Sequence, residues 1–327
     1  MKKLFFIPAL FLFSTSNAQF YADQFAHTFS IVARDSVTGE MGVAVQSHWF
    51  SVGSIVSWGE AGVGVVATQS FVNPSFGPGG LKLMKEGKSP QEAMKILLDA
   101  DSGREVRQLA LLDSKGRTAA FTGSRCIDGA GNINGNNFSV QANLMRNDKV
   151  WPAMEKAFRT TSGPLAERMV AVLEAAQQAG GDIRGMQSAA LLVVKAVPTG
   201  KVWEDRVIDL RVEDNAAPIS ELKRELRLFR AYEHMNAGDL AVEKNDMAGA
   251  MKEYGAAESM CPDNAEMKFW HAVTLVNKGH ADEAYPLFDK VFQQDSSWAE
   301  LIPRLRKGGH LVCDDSMEAK ILGKSIR

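Results

Sequence analysis

Short apolar runs and alternating hydrophobic and polar positions dominate the chain up to about Asp214. These segments are rich in β-branched residues, and glycine-containing turns such as "SVTGE" and "DSKG" separate them. This pattern predicts antiparallel strands. The clearest are "HTFSIVARD", "EMGVAVQSHWF", "VGVVATQSF" and "VRQLALLDSKGRTAAFTG", and the apolar runs in "GGDIRGMQSAALLVVKA" and "VIDLRVED" predict two further, buried strands.

Helical patterns interrupt these strands at two places. Ser89, Pro90 and Glu92 have the spacing of a capping box with proline at the first helical position, which predicts that a helix begins there. A second helical stretch covers 152–178 and is interrupted around "TTSGP". Strands, then helices, then strands again predict an α+β domain in which sheet packs on sheet and helices lie outside.

From about Pro218 onward the pattern is helical, and several positions recur 34 residues apart. The recurring pairs are Ala250 and Ala284, Tyr254 and Phe288, and Asn245 and Gly279, with Pro262 at the end of the first unit. This period resembles tetratricopeptide repeats, with Trp270 nearest to their leading tryptophan. A small alanine and an aromatic residue four positions later share one helix face. An ordinary helical appendage with a coincidental period is the alternative.

The first residues resemble an export signal. Lys2 and Lys3 precede the ten apolar residues "LFFIPALFLF", and the small residues Ser16 and Ala18 follow. Ten apolar residues are fewer than the roughly 20 that a membrane-spanning helix needs. We therefore expect cleavage after Ala18, an exported protein that is periplasmic or secreted, and no membrane association once the signal is removed.

The expected domain organisation follows from these boundaries. It comprises a signal peptide (1–18), a spacer or propeptide (19–27), an α+β domain (28–217) and a small all-α domain that resembles tetratricopeptide repeats (218–327). About 300 residues are more than one hydrophobic core usually accommodates, which also favours two domains.

Charge and composition remove several classes of function. With 37 basic and 39 acidic side chains and no long basic run, the chain lacks the surface of a nucleic-acid-binding protein. The six histidines show no paired spacing of the zinc-binding kind, so we expect neither metal nor cofactor. Cys126, Cys261 and Cys313 are odd in number and widely spaced, so they define no disulfide framework, although one pair stays open.

Thr28 has a chemical use that depends on where the chain begins. A threonine hydroxyl is a weak nucleophile unless a base removes its proton, and a threonine at the chain start supplies its own α-amine. That amine titrates at about 7.7 to 8.0, whereas an amide nitrogen is not basic. Nine residues, Gln19 to His27, still precede Thr28 after signal removal. Without further cleavage Thr28 would be an ordinary strand residue.

Several segments together resemble an uncharacterised bacterial family, domain of unknown function 1028. They are "TFSIVARD", "GEMGVAVQSHWFSVGSIV", "AGVGVVATQSFVNPSFGPGGL", "AAFTGSRC", "FSVQANLM", "GGDIRGMQSAALLVV" and "DLRVED", spread over 28–221. That family is regarded as related to the N-terminal-nucleophile hydrolases. The resemblance implies a four-layer αββα sandwich and a catalytic Thr28, and no substrate. Members without an export signal resemble Met-Thr-Phe-Ser at their start, where methionine removal exposes the threonine; this chain has a signal and a spacer instead.

Other candidate site residues lie at strand ends or on the strand face of Thr28. Ser30 shares that face, and Gln141 and Asn143 offer amide donors for an oxyanion. Each of these side chains is equally compatible with a structural role. The strand-end residues, which we expect to contact substrate, are Ser47, His48, Gln69 and Asn73.

The segment "GGDIRGMQSAA" is the most polar interruption of an apolar region. Asp182 and Arg184 are candidates for binding a substrate carboxylate or amine, or for orienting the threonine amine. Gln187 and Ser188 would follow them into the next strand. The alternative is an ion pair between Asp182 and Arg184 that holds a glycine loop. No lysine lies between Lys3 and Lys82, so the strand-borne lysine of proteasome-like relatives has no local counterpart, and amidase-type relatives are the closer analogy.

The leading hypothesis is an exported hydrolase of a linear amide or peptide bond, with Thr28 as nucleophile and its α-amine as base. The rival hypothesis is a catalytically silent scaffold whose helical repeats hold a protein partner. A third is ligand binding without chemistry, with Asp182 and Arg184 as the clamp. The fold class is also compatible with a homo-oligomer.

Overall fold

The computed structural model describes residues 24–323. The predicted signal peptide and most of the spacer lie outside this range. The chain divides into two compact units, one ending at Lys223 and the other beginning at Arg224. The domain boundary expected before Pro218 is the start of helix α6, Pro218–Glu243, and the division falls six residues into that helix.

The first unit contains two antiparallel sheets. In the first sheet β5 is central: it pairs with β1, β4 and β6, and β6 pairs with β7. The strands are β1 Gln24–Ala26, β4 Ser57–Glu60, β5 Gly64–Val72, β6 Arg107–Asp113 and β7 Thr118–Thr122. The predicted strands around "VGVVATQSF" and "VRQLALLD" are thereby confirmed.

The second sheet has the strand order β11-β10-β3-β2-β9-β8, and all its neighbours are antiparallel. Its strands are β2 Thr28–Arg34, β3 Met41–Ser47, β8 Gly131–Gly135, β9 Phe138–Ala142, β10 Ser188–Val194 and β11 Arg206–Val212. The two late strands expected from apolar runs are β10 and β11. β10 is buried throughout, whereas β11 lies at the sheet edge and is partly exposed.

The two sheets pack face to face through aliphatic side chains such as Val43 and Val45 of the second sheet and Val65 and Ala67 of the first. Helices cover the opposite face of each sheet. Every residue of β3 is consequently buried, because both faces of the strand are covered. This double burial explains why the early strands are apolar runs rather than clean alternations. The helices are α1 Gly53–Val56 and, on the first sheet, α2 Phe76–Lys85 and α3 Pro90–Asp99, with α4 Val150–Thr160 and α5 Leu165–Gln178 on the second.

Local signals in the sequence match the helix boundaries closely. Ser89 accepts a hydrogen bond from the backbone of Glu92 and the reciprocal bond is also present, which confirms the predicted capping box. The interruption predicted within 152–178 is also confirmed. There Gly163, with φ of 111°, and Pro164 separate α4 from α5.

The second unit is entirely helical across 224–323. Its helices after α6 are α7 Met247–Met260, α8 Ala265–Asn277, α9 Ala281–Gln294, α10 Leu301–Lys307 and α11 Asp315–Ile321. Ala250 and Tyr254 on α7, and Ala284 and Phe288 on α9, are fully buried. Trp270 is 38% exposed, and its neighbour Phe269 supplies the buried ring instead.

Within residues 24–323 no helix is long and apolar enough to cross a membrane. The same range contains no group of three or more His, Cys, Asp or Glu side chains placed to bind a metal ion. All three cysteines are unpaired, and burial raises the pKa of the Cys126 thiol.

Candidate functional site

The peptide bond between His27 and Thr28 joins the two sheets of the first unit. Ala26 ends β1 and pairs with Ser70 in the first sheet, whereas Thr28 begins β2 and pairs with Ser47 in the second. Ala26, His27 and Thr28 are all buried. The threonine singled out by the sequence therefore lies at one end of the interface between the sheets.

Two side chains donate hydrogen bonds to the carbonyl oxygen of His27. Ser47 Oγ lies 2.6 Å from it, and Arg184 Nη2 lies 2.7 Å from it. The Thr28 hydroxyl donates to the carbonyl oxygen of Ala26 at 2.6 Å, which directs the hydroxyl back toward the N-terminal side of Thr28. A serine hydroxyl and a guanidinium are therefore placed where they would stabilise negative charge on this oxygen.

Arg184 is held in place by Asp182. The guanidinium contacts both carboxylate oxygens, with Nε to Oδ1 at 3.0 Å and Nη2 to Oδ2 at 2.7 Å. The Asp182 side chain is fully buried, and its Oδ1 also accepts the backbone N–H of Arg184 at 2.9 Å. The loop between α5 and β10, which carries both residues, contains three glycines with positive φ, namely Gly180, Gly181 and Gly185. The ion pair between Asp182 and Arg184, which the sequence offered as a structural alternative, is thus present. It also holds Arg184 Nη2 against the His27 carbonyl.

The His27 side chain is buried against Asn143 and Phe71. Its Nδ1 lies 2.8 Å from Asn143 Oδ1, and its ring meets the Phe71 ring edge-on with centroids 5.3 Å apart. Burial lowers the pKa of His27, and the positive charge of Arg184 acts in the same direction. The imidazole is therefore neutral near pH 7, which matches its position beside a guanidinium.

Gln108 on β6 is the centre of a buried amide network between the sheets. Its Oε1 accepts hydrogen bonds from Gln69 Nε2 at 2.6 Å and Asn143 Nδ2 at 2.9 Å. Its Nε2 donates to Thr122 Oγ1 at 2.8 Å and to the carbonyl of Ala142 at 2.9 Å. Residues from three strands and from the end of β9 are thereby fixed relative to one another.

The same network reaches Thr28 through its carbonyl oxygen. Gln69 Nε2 lies 3.2 Å from that oxygen and Asn143 Nδ2 lies 3.4 Å from it. Ser30 Oγ donates to Gln69 Oε1 at 2.6 Å and accepts from Gln141 Nε2 at 2.6 Å. Ser30 and Gln141 therefore support the network, and the amides of Gln141 and Asn143 are directed to partners other than the His27 carbonyl.

Two non-glycine residues with positive φ lie directly after amide residues of this network. Ser70 has φ of 74° and follows Gln69, and Leu144 has φ of 60° and follows Asn143. This backbone conformation is uncommon for side chains other than glycine, asparagine and aspartate. Such strain concentrates at sites where a specific geometry is required.

A family model described as "Family of unknown function (DUF1028)" matches residues 28–222, which is more than half of the chain. The chain belongs to the DUF1028 family. The match begins at Thr28, so Ala26 and His27 precede the DUF1028 domain, whereas Ser47, Asn143 and Arg184 lie inside it.

A solved structure of another family member is similar to this chain. It is the crystal structure of protein SPO2555 from Silicibacter pomeroyi, which is 32% identical to this chain with a TM-score of 0.56. The similarity covers 62% of this chain and 85% of that one. No curated protein matches the chain.

His48 and Asn73 lie at the edges of the DUF1028 site. His48 is exposed, and its backbone N–H lies 3.5 Å from Asp182 Oδ2. Asn73 turns away into the loop before α2, where its Oδ1 accepts from the hydroxyl of Ser75 at 2.7 Å.

Gln187 and Ser188 support the loops around the site rather than the His27–Thr28 bond itself. Gln187 Nε2 donates to Asp214 Oδ1 at 3.1 Å. Ser188 Oγ donates to the carbonyl of Trp49 and accepts the N–H of Val52 at 3.1 Å, so it fixes the turn after β3.

Gln108 is the centre of the amide network at the candidate site, and the sequence analysis did not single it out. It lies in "RQLALLD", where it is an uncharged polar residue followed by four apolar ones. An amide within an apolar strand must find a buried partner, because an unpaired buried amide is costly. That isolated polarity was the signal available in the sequence.

Proposed function

We propose that the DUF1028 domain is an N-terminal-nucleophile hydrolase of a linear amide or peptide bond, and that cleavage after His27 makes Thr28 its first residue. One observation carries this proposal: the carbonyl of the bond to be cut accepts hydrogen bonds from Ser47 Oγ at 2.6 Å and Arg184 Nη2 at 2.7 Å. In acyl-transfer sites, hydrogen-bond donors directed at the oxygen that becomes negatively charged are usually the largest source of transition-state stabilisation.

The proposed maturation is an intramolecular acyl shift. Thr28 Oγ attacks the carbonyl carbon of His27, and Ser47 and Arg184 stabilise the resulting oxyanion. The bond between that carbon and the Thr28 nitrogen then breaks, and the proton from the hydroxyl ends on the nitrogen. The product is an ester between the His27 acyl group and Thr28 Oγ. Water hydrolyses this ester, which releases the preceding segment and leaves Thr28 with a free α-amine.

Turnover repeats the same chemistry on an external amide. The free α-amine of Thr28 takes the hydroxyl proton as Oγ attacks, an acyl ester forms, the amine of the substrate leaves with a proton, and water releases the acid. The substrate carbonyl occupies the former position of the His27 carbonyl. Gln69 and Asn143 keep Thr28 in place through its carbonyl oxygen.

The arrangement of layers supports the assignment to this class. Two antiparallel sheets pack face to face and helices cover the outer face of each, which is the order of layers expected for an αββα sandwich of N-terminal-nucleophile hydrolases. The proposed nucleophile begins a strand of one of the two facing sheets. The family relationship supports the domain limits, since the match begins at Thr28.

We assign the helical unit to the tetratricopeptide-like class on the equivalence of two helix pairs. Ala250 and Tyr254 on α7 correspond to Ala284 and Phe288 on α9, and all four are fully buried. The turns before those helices both contain a residue with positive φ, Asn245 at 58° and Gly279 at 82°. In our proposal this helical unit is accessory to catalysis. In the rival scaffold function it would bind the protein partner.

Determining the start of the mature chain tests the proposal. The full-length protein is produced in an exporting bacterial host, consistent with the proposed export, and its intact mass and N-terminal sequence are measured. We expect the wild-type chain to begin at Thr28 and the Thr28→Ala variant to retain His27. Thr68→Ala is a matched control, because Thr68 is also buried and donates to a backbone carbonyl, that of Asn73. It should mature normally.

Each of two results would contradict a different part of the proposal. A wild-type chain that stably retains His27 would leave Thr28 without a free amine, would overturn the hydrolase assignment and would favour the scaffold function. A Thr28→Ala chain that matures like the wild type would overturn the intramolecular acyl shift, because another protease would then cut this bond without help from the threonine.

A further inference from the structure

The residues that precede Thr28 occupy the domain as a bound extended peptide. Gln24–Ala26 pairs antiparallel with β5, with Gln24 opposite Val72 and Ala26 opposite Ser70. The other edge of β5 pairs with β6. Removal of Gln24–His27 would therefore leave an unpaired strand edge along 70–72, directly beside the Thr28 nucleophile.

The segment also fills a side-chain pocket at its last residue. His27 is 3% exposed, its Nδ1 lies 2.8 Å from Asn143 Oδ1, and its ring packs edge-on against Phe71. The pocket thus offers one hydrogen-bond acceptor and an aromatic wall to the residue before the cut bond. It suits a planar ring that carries an N–H or O–H donor.

From these contacts we infer that the substrate of the mature domain is an extended peptide that binds antiparallel to the 70–72 edge of β5, with histidine or a similar polar aromatic residue before the cleaved amide. This inference rests on the proposed function, because the groove opens only when His27 is released. Strand addition to an exposed sheet edge supplies affinity through main-chain hydrogen bonds, and the pocket supplies specificity.

The register places the substrate for reaction. A peptide that follows the path of Gln24–His27 brings its last carbonyl oxygen to Ser47 Oγ and Arg184 Nη2, which hold the same group of His27 now. The bond that breaks is then the amide after the ring-bearing residue. The segment Gln24–His27 would therefore be the first substrate of the site.

The test compares two peptides on the protein matured at Thr28. N-acetyl-Gln-Phe-Ala-His and N-acetyl-Gln-Phe-Ala-Ala are each joined by an amide to a fluorogenic aminocoumarin, and kcat/KM is measured. A lost hydrogen bond and a lost ring contact together correspond to about tenfold, so we expect the histidine peptide to be cleaved about tenfold faster or more. Binding of the free acid, N-acetyl-Gln-Phe-Ala-His, is measured separately by calorimetry.

Variants of the pocket sharpen the comparison. Phe71→Leu should reduce the preference for histidine, because it removes the aromatic wall. Phe121→Leu is the matched control, since Phe121 is also a half-buried phenylalanine on a strand of the first sheet but packs against the cluster that contains Phe76 and Leu109. It should retain the preference.

The outcomes separate the inference from the proposed function. Equal cleavage of both peptides, or turnover of an unrelated simple amide with no binding of the histidine peptide, would overturn the inference and leave the hydrolase assignment intact. Binding of the free acid without cleavage of either peptide would support the groove and contradict the hydrolase. A chain that never releases His27 refutes both, and its mass identifies that case.

Discussion

The carbonyl oxygen of His27 lies 2.7 Å from Nη2 of Arg184, a residue 157 positions further along the chain. The same guanidinium forms an ion pair with the fully buried carboxylate of Asp182. The positive charge of Arg184 is thus fixed beside the carbonyl of the His27–Thr28 peptide bond, whose cleavage would give Thr28 a free amine.

Replacing Arg184 tests the importance of this contact. Arg184→Lys keeps a positive charge beside Asp182 but loses the fork in which Nε and Nη2 both contact Asp182 while Nη2 also donates to the His27 carbonyl. We expect cleavage after His27 to slow by about 100-fold, the typical loss when an oxyanion donor is removed. Intact mass spectrometry after pulsed expression follows the cleavage. Arg117→Lys is the control, because Arg117 forms a similar ion pair with the buried Asp113 at the C-terminal end of β6. Unchanged cleavage in Arg184→Lys would contradict the assignment.

The stability of the uncleaved chain should depend on the ionisation of His27. Its folded-state pKa is lowered by burial, so below about pH 6.5 the unfolded chain binds a proton that the folded chain resists. The stabilising contribution is full above about pH 6.5 and is lost as the pH falls toward the lowered value. Urea unfolding of Thr28→Ala, which keeps His27 in place, measures this between pH 7.5 and 5.

A second variant isolates the histidine from other titrating groups. Thr28→Ala combined with His27→Gln keeps an amide donor for Asn143 but cannot titrate, so its unfolding free energy should fall less over the same pH range. The exposed His48, replaced by glutamine in the same background, serves as the matched control. Identical pH profiles with and without His27 would rule out this linkage.

Gln108 should carry a large share of the stability at the sheet interface. Gln108→Leu leaves donors of Gln69 and Asn143, and the carbonyl of Ala142, without their present partner. Buried groups left unsatisfied cost about 1 to 3 kcal/mol each, so we expect a loss of about 3 kcal/mol or more in unfolding free energy. Gln187→Leu, which removes one bond to Asp214, should cost less than about 1.5 kcal/mol. Similar losses for both variants in urea unfolding would contradict the central role of Gln108.

The helical unit should be separable from processing. Phe288 is fully buried on α9, so Phe288→Ala should lower the stability of that unit by about 3 to 5 kcal/mol. Trp270→Ala removes a ring that is 38% exposed and should cost less. Far-ultraviolet circular dichroism during heating reports the melting, and N-terminal sequencing reports maturation. Loss of the Thr28 start in Phe288→Ala would mean that the helical unit is required for cleavage.

Several features of the fold followed from local sequence. The capping box at Ser89, the break between α4 and α5 and the two late strands depend on residues that are neighbours in the chain, so short patterns predict them. The family resemblance carried on the quoted segments was confirmed over 28–222.

The composition of the site was less accessible from sequence. Asn143 and Gln141 were expected to donate to an oxyanion, but their amides bond other partners, and Ser47 and Arg184 contact the His27 carbonyl instead. A side chain's partner depends on which strands become neighbours, and pairings over more than a hundred residues leave no periodic trace in one sequence.

The sequence by itself determined several of the strands, the start of α3, the helical character after Pro218 and the candidacy of Thr28, because these depend on local propensity and on the chemistry of one residue. The short strands β1, β4 and β8 were not predicted from it. Only the tertiary structure decided that Ala26 belongs to one sheet and Thr28 to the other, with the bond of His27 held between them. That placement arises from strand pairing and burial across the whole domain, where Ser47 and the local Asp182–Arg184 ion pair meet the His27 carbonyl through packing rather than proximity in the chain.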